Sequence, residues 1–357
     1  MIKGLVIGLV VGALFLGLAL WGVPLDQVGD AIAQVDGKWL LAATALWVGQ
    51  YVLRAWRQLL LVQPLAPGTT YRTQLAITMV GFFCVNTFPA RLGEVVRPYL
   101  LYEREQVPIG AGLGVVFVER IIDTVGLLIG LLLVVLYADV PDRSIELFGR
   151  SFSVVPWARG TALVLLPPLV GGIVALAAFG SRALALAERI VVAIESRVAA
   201  PWLTRVLRGL LGFAGSFVDG VAGLREPRRM LSIVLFTAVL FVGMAAFVWA
   251  LACAFHFQQW IGFGEAMGVL GITMLGIALP APPGFAGVFE AAVRAALAVF
   301  GVAGEDLAAR ALAFALVFHW GPYLLLAIWA GYYVWRDKMG LGRLFRFARG
   351  GSGPARA

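Results

Sequence analysis

Six stretches of this chain stay apolar for about 20 residues or more, the length at which a helix crosses a hydrocarbon core of about 30 Å. They run Gly4 to Val23, Trp39 to Val62, Ile109 to Tyr137, Trp157 to Phe179, Leu231 to Phe255 and Ala308 to Trp335. Inside a bilayer every backbone N–H and C=O has to be satisfied within the protein, which restricts spanning structure to helices and closed barrels. The ten-residue alternation of a membrane barrel is missing. Only 13% of the 357 residues are charged and 61% are hydrophobic, whereas a soluble domain carries about 25% charge. Soluble, disordered, collagenous and disulfide-rich classes are excluded together. The expected fold class is all-α, a polytopic integral membrane protein. The first run, after Met1-Ile2-Lys3, lacks a small-x-small cleavage site and reads as a retained span.

Two further apolar stretches, Thr73 to Phe88 and Ala266 to Pro280, are shorter and end in proline, with glycine and charge just beyond. Each is expected to form half of a re-entrant helical hairpin, whose broken backbone is tolerated at membrane depth only where protein buries it or it lines a wet cavity. Orientation follows from the basic residues, which mark the cytoplasmic side. Eight arginines lie in Gly180 to Met230, and Arg336, Lys338, Arg343, Arg346, Arg349 and Arg356 lie in the tail. Asp26, Asp30, Asp36, Asp139, Asp142 and Glu146 dominate the segments 24–38 and 138–156. Six full spans plus two hairpins place both basic segments and both termini in the cytoplasm. Ten crossings would keep the same parity, and the short broken segments disfavour them. The expected organisation is one transmembrane unit over 1–357, with a first repeat region at 39–137, an Arg-rich segment at 180–230, a second repeat region at 231–335 and a basic tail at 336–357. Apolar residues set between the arginines of 180–230 predict amphipathic helices on the inner leaflet, serving topology and anchoring.

The two short stretches match each other. Ile77-Thr78-Met79-Val80-Gly81 answers to Ile272-Thr273-Met274-Leu275-Gly276, and Pro89, Gly93 and Glu94 answer to Pro283, Gly287 and Glu290. One hairpin enters from each side, so the repeat is expected to be inverted, and paired broken segments of this kind point to a midplane transport site.

Candidate site residues cluster at these breaks. Asn86, Arg91, Glu94 and Arg97 surround the first. A helix starting near Pro89 would aim free N–H groups inward, an arrangement suited to phosphate. Arg91 and Arg97 could hold a lipid phosphate through planar forks, with Glu94 positioning one of them. The plainer alternative is a Glu94–Arg97 pair at the rim, three residues apart on one face, touching no ligand. Glu119, Arg120 and Asp123 lie roughly 15 to 21 Å into the run that starts at Ile109. Two carboxylates one turn apart call for a cation such as Arg91, Arg97 or Arg120, or for a held proton. They either line a substrate cavity or relay protons, or they lock the bundle as an interior ion pair. At the second break, Gly284 precedes Glu290 and Arg294, a pair spaced i,i+4. His319, between Phe318 and Trp320, is a proton relay or a packed, hydrogen-bonded histidine. Arg54 and Arg57 read as snorkelling anchors.

Metalloprotease, P-loop and nucleophile-elbow motifs are missing, so neither catalysis nor a cofactor is expected. Cys84 and Cys253 have no partners at metal-ligand spacing and read as small core residues. The net charge of +8 reports Arg-rich cytoplasmic segments rather than a nucleic-acid partner. The expected partner is a membrane lipid with an anionic or zwitterionic headgroup, and association with a second copy or with a lipid-synthesis enzyme is compatible with the chain. Two rival functions are an intramembrane lipid-modifying enzyme that uses Glu119 and Asp123 as acid and base or metal ligands, and an accessory subunit that recruits an enzyme through the Arg-rich segment.

The run Asn86-Thr-Phe-Pro89-Ala-Arg91-Leu-Gly93-Glu94-Val-Val-Arg97, with Glu119-Arg120-Ile-Ile-Asp123 and Pro282-Pro283-Gly284-Phe-Ala-Gly287-Val-Phe-Glu290, resembles the flippase-like transmembrane family named for lysylphosphatidylglycerol synthase. The similarity covers roughly Leu40 to Val334, and it departs from the family at Phe285 and Ala286, where glycine or another small residue is usual. The resemblance implies a bundle with re-entrant hairpins that moves a phospholipid or glycolipid across the bacterial inner membrane. Some members carry a cytosolic aminoacyl transferase as well, and residues 336–357 are too few for one, so a stand-alone member is expected.

Overall fold

The computed structural model describes Gly17 and residues 24–88, 93–137, 144–147, 150–197, 200–277 and 282–337. Its helices are α1 (Leu25–Ala33), α2 (Gly37–Val62), α3 (Tyr71–Thr87), α4 (Gly93–Glu105), α5 (Ile109–Tyr137), α6 (Val154–Glu195), α7 (Pro201–Val221), α8 (Pro227–Ala254), α9 (Phe263–Gly276), α10 (Val288–Val299) and α11 (Glu305–Arg336). Between α5 and α6 a short antiparallel hairpin pairs β1 (Ser144–Leu147) with β2 (Arg150–Ser153). The architecture is otherwise helical.

Five of the described helical stretches are long and apolar enough to cross a membrane: Ile109–Tyr137, Arg159–Glu195, Pro201–Arg225, Pro227–Ala254 and Glu305–Arg336. The expected spans at 109, 157, 231 and 308 lie on four of them, whereas Gly4 to Val23, apart from Gly17, lies outside the described residues. The expected span Trp39 to Val62 is the helix α2, made less apolar by Gln50, Arg54, Arg57 and Gln58. Those polar side chains are buried against the bundle.

The Arg-rich segment differs most from expectation. Gly180 alone is too weak a breaker to stop a helix whose flanks are good helix formers, so α6 runs unbroken for 42 residues. At 1.5 Å per residue it is about 63 Å long, roughly twice the hydrocarbon thickness. From Pro201 the helix α7 returns beside it and docks on α5, where Gly110, Gly114 and Gly220 let the backbones approach so closely that a Cβ at any of them would strike the neighbouring helix. Glycine contacts of this kind drive helix association in membranes.

Two helical hairpins face each other inside the bundle. In the first, α3 starts where Thr70 accepts a hydrogen bond from Thr73 N, and α4 ends beside that start, where Thr69 Oγ1 donates to Glu105 Oε1 at 2.7 Å. Both arms therefore open to the same end of the molecule. A Cβ on Gly93 would meet the backbone of Cys84 and Val85, so this glycine lets the arms cross. In the second hairpin α9 and α10 open to the opposite end, with Gly276 close to Ala292 at the tip and Gly268 against Phe300 at the base. The described ends of the two hairpins approach each other, since a Cβ on Gly284 would lie 3.9 Å from the Asn86 carbonyl oxygen, and the end of α3 also meets α11, where Thr87 Oγ1 and Tyr323 Oη are 3.0 Å apart.

Candidate functional site

The first hairpin, α2 and α5 bring together a charge cluster. Arg57, fully buried, donates from Nη1 to Asp123 Oδ1 at 2.6 Å and from Nη2 to Glu119 Oε1 at 3.1 Å. One planar guanidinium thus bridges two carboxylates a helical turn apart, a fork that lysine cannot reproduce. Its Nη1 also donates to Thr237 Oγ1 on α8 at 3.1 Å. Arg97 Nη1 lies 2.5 Å from Glu119 Oε2. Arg54 and Arg120 reach Asp123 Oδ2 at 3.4 and 3.2 Å. Arg54 and Arg57 are therefore not snorkelling anchors: they are buried, and they hold the two carboxylates of α5. Their spacing on the face shared with Gln50 and Gln58 was the available signal, a polar stripe on an otherwise apolar helix.

Local sequence makes this arrangement possible. Arg97 lies directly over Gly81, where any Cβ would displace its side chain. Its Nη2 donates to Gln58 Oε1 at 2.7 Å, which also accepts from Thr78 Oγ1, and Gln58 Nε2 donates to Gln74 Oε1 at 2.8 Å. Gln74 in turn donates to Thr69 at 2.7 Å. Buried polar groups are costly unless satisfied, and this chain of amides and hydroxyls satisfies them from the cluster to the base of the hairpin. Phe82 supplies the floor: the guanidinium carbons of Arg54, Arg97 and Arg120 lie 5.2, 5.0 and 5.5 Å from its ring centroid, within cation–π range.

Above that ring opens a cavity of about 340 Å³. Arg54, Glu94, Arg120 and Asp123 line one side; Asn86, Phe285, His319 and Tyr323 line the other. Both hairpin tips contribute to it. Among the described residues, the buried Nε atoms of Arg57, Arg97 and Arg120 donate no hydrogen bond, while Arg120 Nη2 lies against the Asp123 carboxylate. The charged lining balances, Arg54 and Arg120 against Glu94 and Asp123, with Arg57, Arg97 and Glu119 packed behind it.

The second hairpin presents a different group. Glu290, fully buried, accepts at Oε2 from Gly287 N at 2.7 Å, capping α10, and at Oε1 from Trp320 Nε1 at 2.9 Å. His319 Nδ1 lies 2.8 Å from the same Oε1, its ring stacked on Phe289 at 4.3 Å. The carboxylate so engaged is the one expected to pair with Arg294, which is half-buried on α10. Gly284 and Gly287 adopt φ of 71° and 80°, and Phe285 between them adopts 56°, a left-handed conformation that is uncommon for a bulky residue and that concentrates at functional sites. Arg91 lies outside the described residues. Asn86, Glu94, Arg120, Asp123 and His319 thus reach the cavity, Arg97 and Glu119 lie directly behind it, and Glu290 supports it through His319.

A family model described as lysylphosphatidylglycerol synthase TM region matches residues 5–329. The chain is 26% identical over 308 residues to a protein of Haloferax volcanii named glycosyltransferase AglD, covering 81% of this chain and 47% of that protein. It is 24% identical over 118 residues to UPF0104 membrane protein MJ1595 of Methanocaldococcus jannaschii, covering 32% of this chain and 35% of that one. The chain spans less than half the length of either relative.

Proposed function

We propose that this chain, which belongs to the lysylphosphatidylglycerol synthase TM region family, carries a lipid with an anionic or zwitterionic headgroup between the leaflets of the cytoplasmic membrane. One observation carries this reading: a charged cavity between the ends of two opposed hairpins, on whose wall the buried Nε of Arg120 is left without an acceptor. Buried donors are normally satisfied, so the free Nε of Arg120 marks where a phosphate or carboxylate oxygen fits. Arg120 is the group that would bind it, and Arg54 would share it with Asp123. Arg57 and Arg97 would hold Glu119 and Asp123 in place.

In this reading the six long apolar runs span the bilayer, the α3/α4 hairpin enters from the cytoplasm and the α9/α10 hairpin from outside, as halves of an inverted repeat. Rocking one half against the other would expose the cavity to each leaflet in turn. The chain has no nucleotide-binding motif, so transport would run downhill, by ion coupling or as scrambling, and the lipid would leave chemically unchanged. The kinship with a protein named glycosyltransferase favours one second reading, in which this domain presents or receives a glycolipid for a transferase. Incubating the purified protein with membrane lipids and weighing them by mass spectrometry separates translocation from chemistry. Redistribution between leaflets with unaltered mass is the expected result, and a product of new mass would favour the enzyme.

A further inference from the structure

A second and larger hollow, about 840 Å³, opens on the flank of the bundle between α5, α6, α8 and α9. Ile129 and Leu133 on α5, Val174 on α6, and Val234 and Val242 on α8 line it and are at least partly exposed. Along α5 it runs from Ile121 to Tyr137, about 24 Å at 1.5 Å per residue. One leaflet of a hydrocarbon core is only about 15 Å deep.

This groove adjoins the charged cavity. Phe241 lines both, packed against Gly126, where a Cβ would fall 2.5 Å from its ring. Thr237 lies on the groove wall and accepts from Arg57 of the charge cluster. An apolar slot and a charged chamber that share one aromatic partition fit an amphiphile, with its charged end in the chamber and its hydrocarbon in the slot.

We infer that the groove between α5, α6, α8 and α9 is the acyl-chain site of the transported lipid, with Phe241 the partition between tail and headgroup. The inference rests on the translocase reading above and gives its substrate long hydrocarbon chains. Because the groove is longer than a leaflet is deep, a tail stays seated while the headgroup crosses the midplane. A polar headgroup without a long chain would lack this half of the site.

Val242, 58% exposed in the groove, is the position to probe. It is replaced by photo-reactive p-benzoylphenylalanine in the full chain, irradiated in native membranes, and the adducts are weighed. Ile328, 71% exposed on α11 outside the groove, is the control. The expected result is a lipid adduct at 242 enriched several-fold over 328 and dominated by one lipid class, with enrichment lost when Ala238→Trp fills the groove. Equal adducts at both positions, a link to residues 1–23, or a link to a second copy of the chain would each overturn the inference, because bulk lipid, the chain's own first segment or a dimer would then occupy the groove. Adduct formation is independent of transport. Enrichment without lipid movement would leave the groove assigned and remove the translocase reading, whereas lipid movement without enrichment would do the reverse.

Discussion

At the scale of single residues, the account turns on how four arginines share the carboxylates around one phenylalanine ring. Arg57 touches both Glu119 and Asp123 from a position with no exposure. Removing one member of a buried ion network leaves uncompensated charge, at a cost of about 3 to 5 kcal/mol. Arg57→Met is therefore expected to lower the thermal unfolding midpoint sharply in detergent, and Arg57→Lys to recover only part of the loss. Arg120 is different. Its side chain is 34% exposed and its one ion pair, with Asp123, is shared with two other arginines. Arg120→Gln should leave the unfolding midpoint near that of the wild type while weakening capture of an anionic headgroup, read as reduced retention of phospholipid after purification. The sequence showed the carboxylates of α5 because charges stand out in an apolar run. It hid the roles of Arg54 and Arg57, since an arginine near the end of an apolar helix has the same local signature whether it snorkels outward or folds into the core. Only the packing of α2 against α5 and α8 decides between them.

At the scale of elements, the ends of α3 and α9 were legible because apolar runs give way to proline just past Thr87 and Gly276. Glycine spacing explains why the arms close. Gly93→Ala would drive a Cβ into the backbone of α3, and overpacking of this kind typically costs about 1 to 3 kcal/mol; a lowered unfolding midpoint with parallel loss of function is the expected outcome. The base of the first hairpin is tied to the end of α11, where Arg104 Nη1 donates to Asp337 Oδ2 at 3.2 Å. Hydrogen bonds from Arg336, with Arg104 nearby, hold the Asp337 carboxyl below the usual range despite its partial burial. A carboxyl whose pKa falls on folding contributes its full stability above the unfolded value of about 3.9 and loses it as pH drops through the folded value. The difference in unfolding midpoint between wild type and Asp337→Asn should accordingly be present at neutral pH and shrink as pH falls below the unfolded value of about 3.9. Helix ends were less legible. Nothing local stops α6 at Gly180, so a segment expected to lie flat on a leaflet became half of a long helix and its returning partner, fixed by glycine contacts between elements far apart in sequence.

At the scale of the whole molecule, hydropathy and charge established a multi-pass helical membrane protein, and the family match over residues 5–329 agrees. Sequence could not show that the two hairpin ends approach each other, that the charged cavity lies between them, or that an apolar groove adjoins it at Phe241, because each depends on contacts across the full length of the chain. Those contacts make one object of features that in the sequence stood far apart: a charged chamber, two helical hairpins and a lateral slot. The central claim is that this object moves lipids. It is tested most directly by reconstituting the protein into liposomes holding a fluorescent anionic phospholipid and following the fraction accessible to a membrane-impermeant quencher. The account predicts that the wild type exchanges the lipid between leaflets faster than protein-free liposomes do and that Arg120→Gln, folded to the same extent, falls to the protein-free rate. A wild-type rate equal to that of empty liposomes, for anionic and zwitterionic lipids alike, would contradict it.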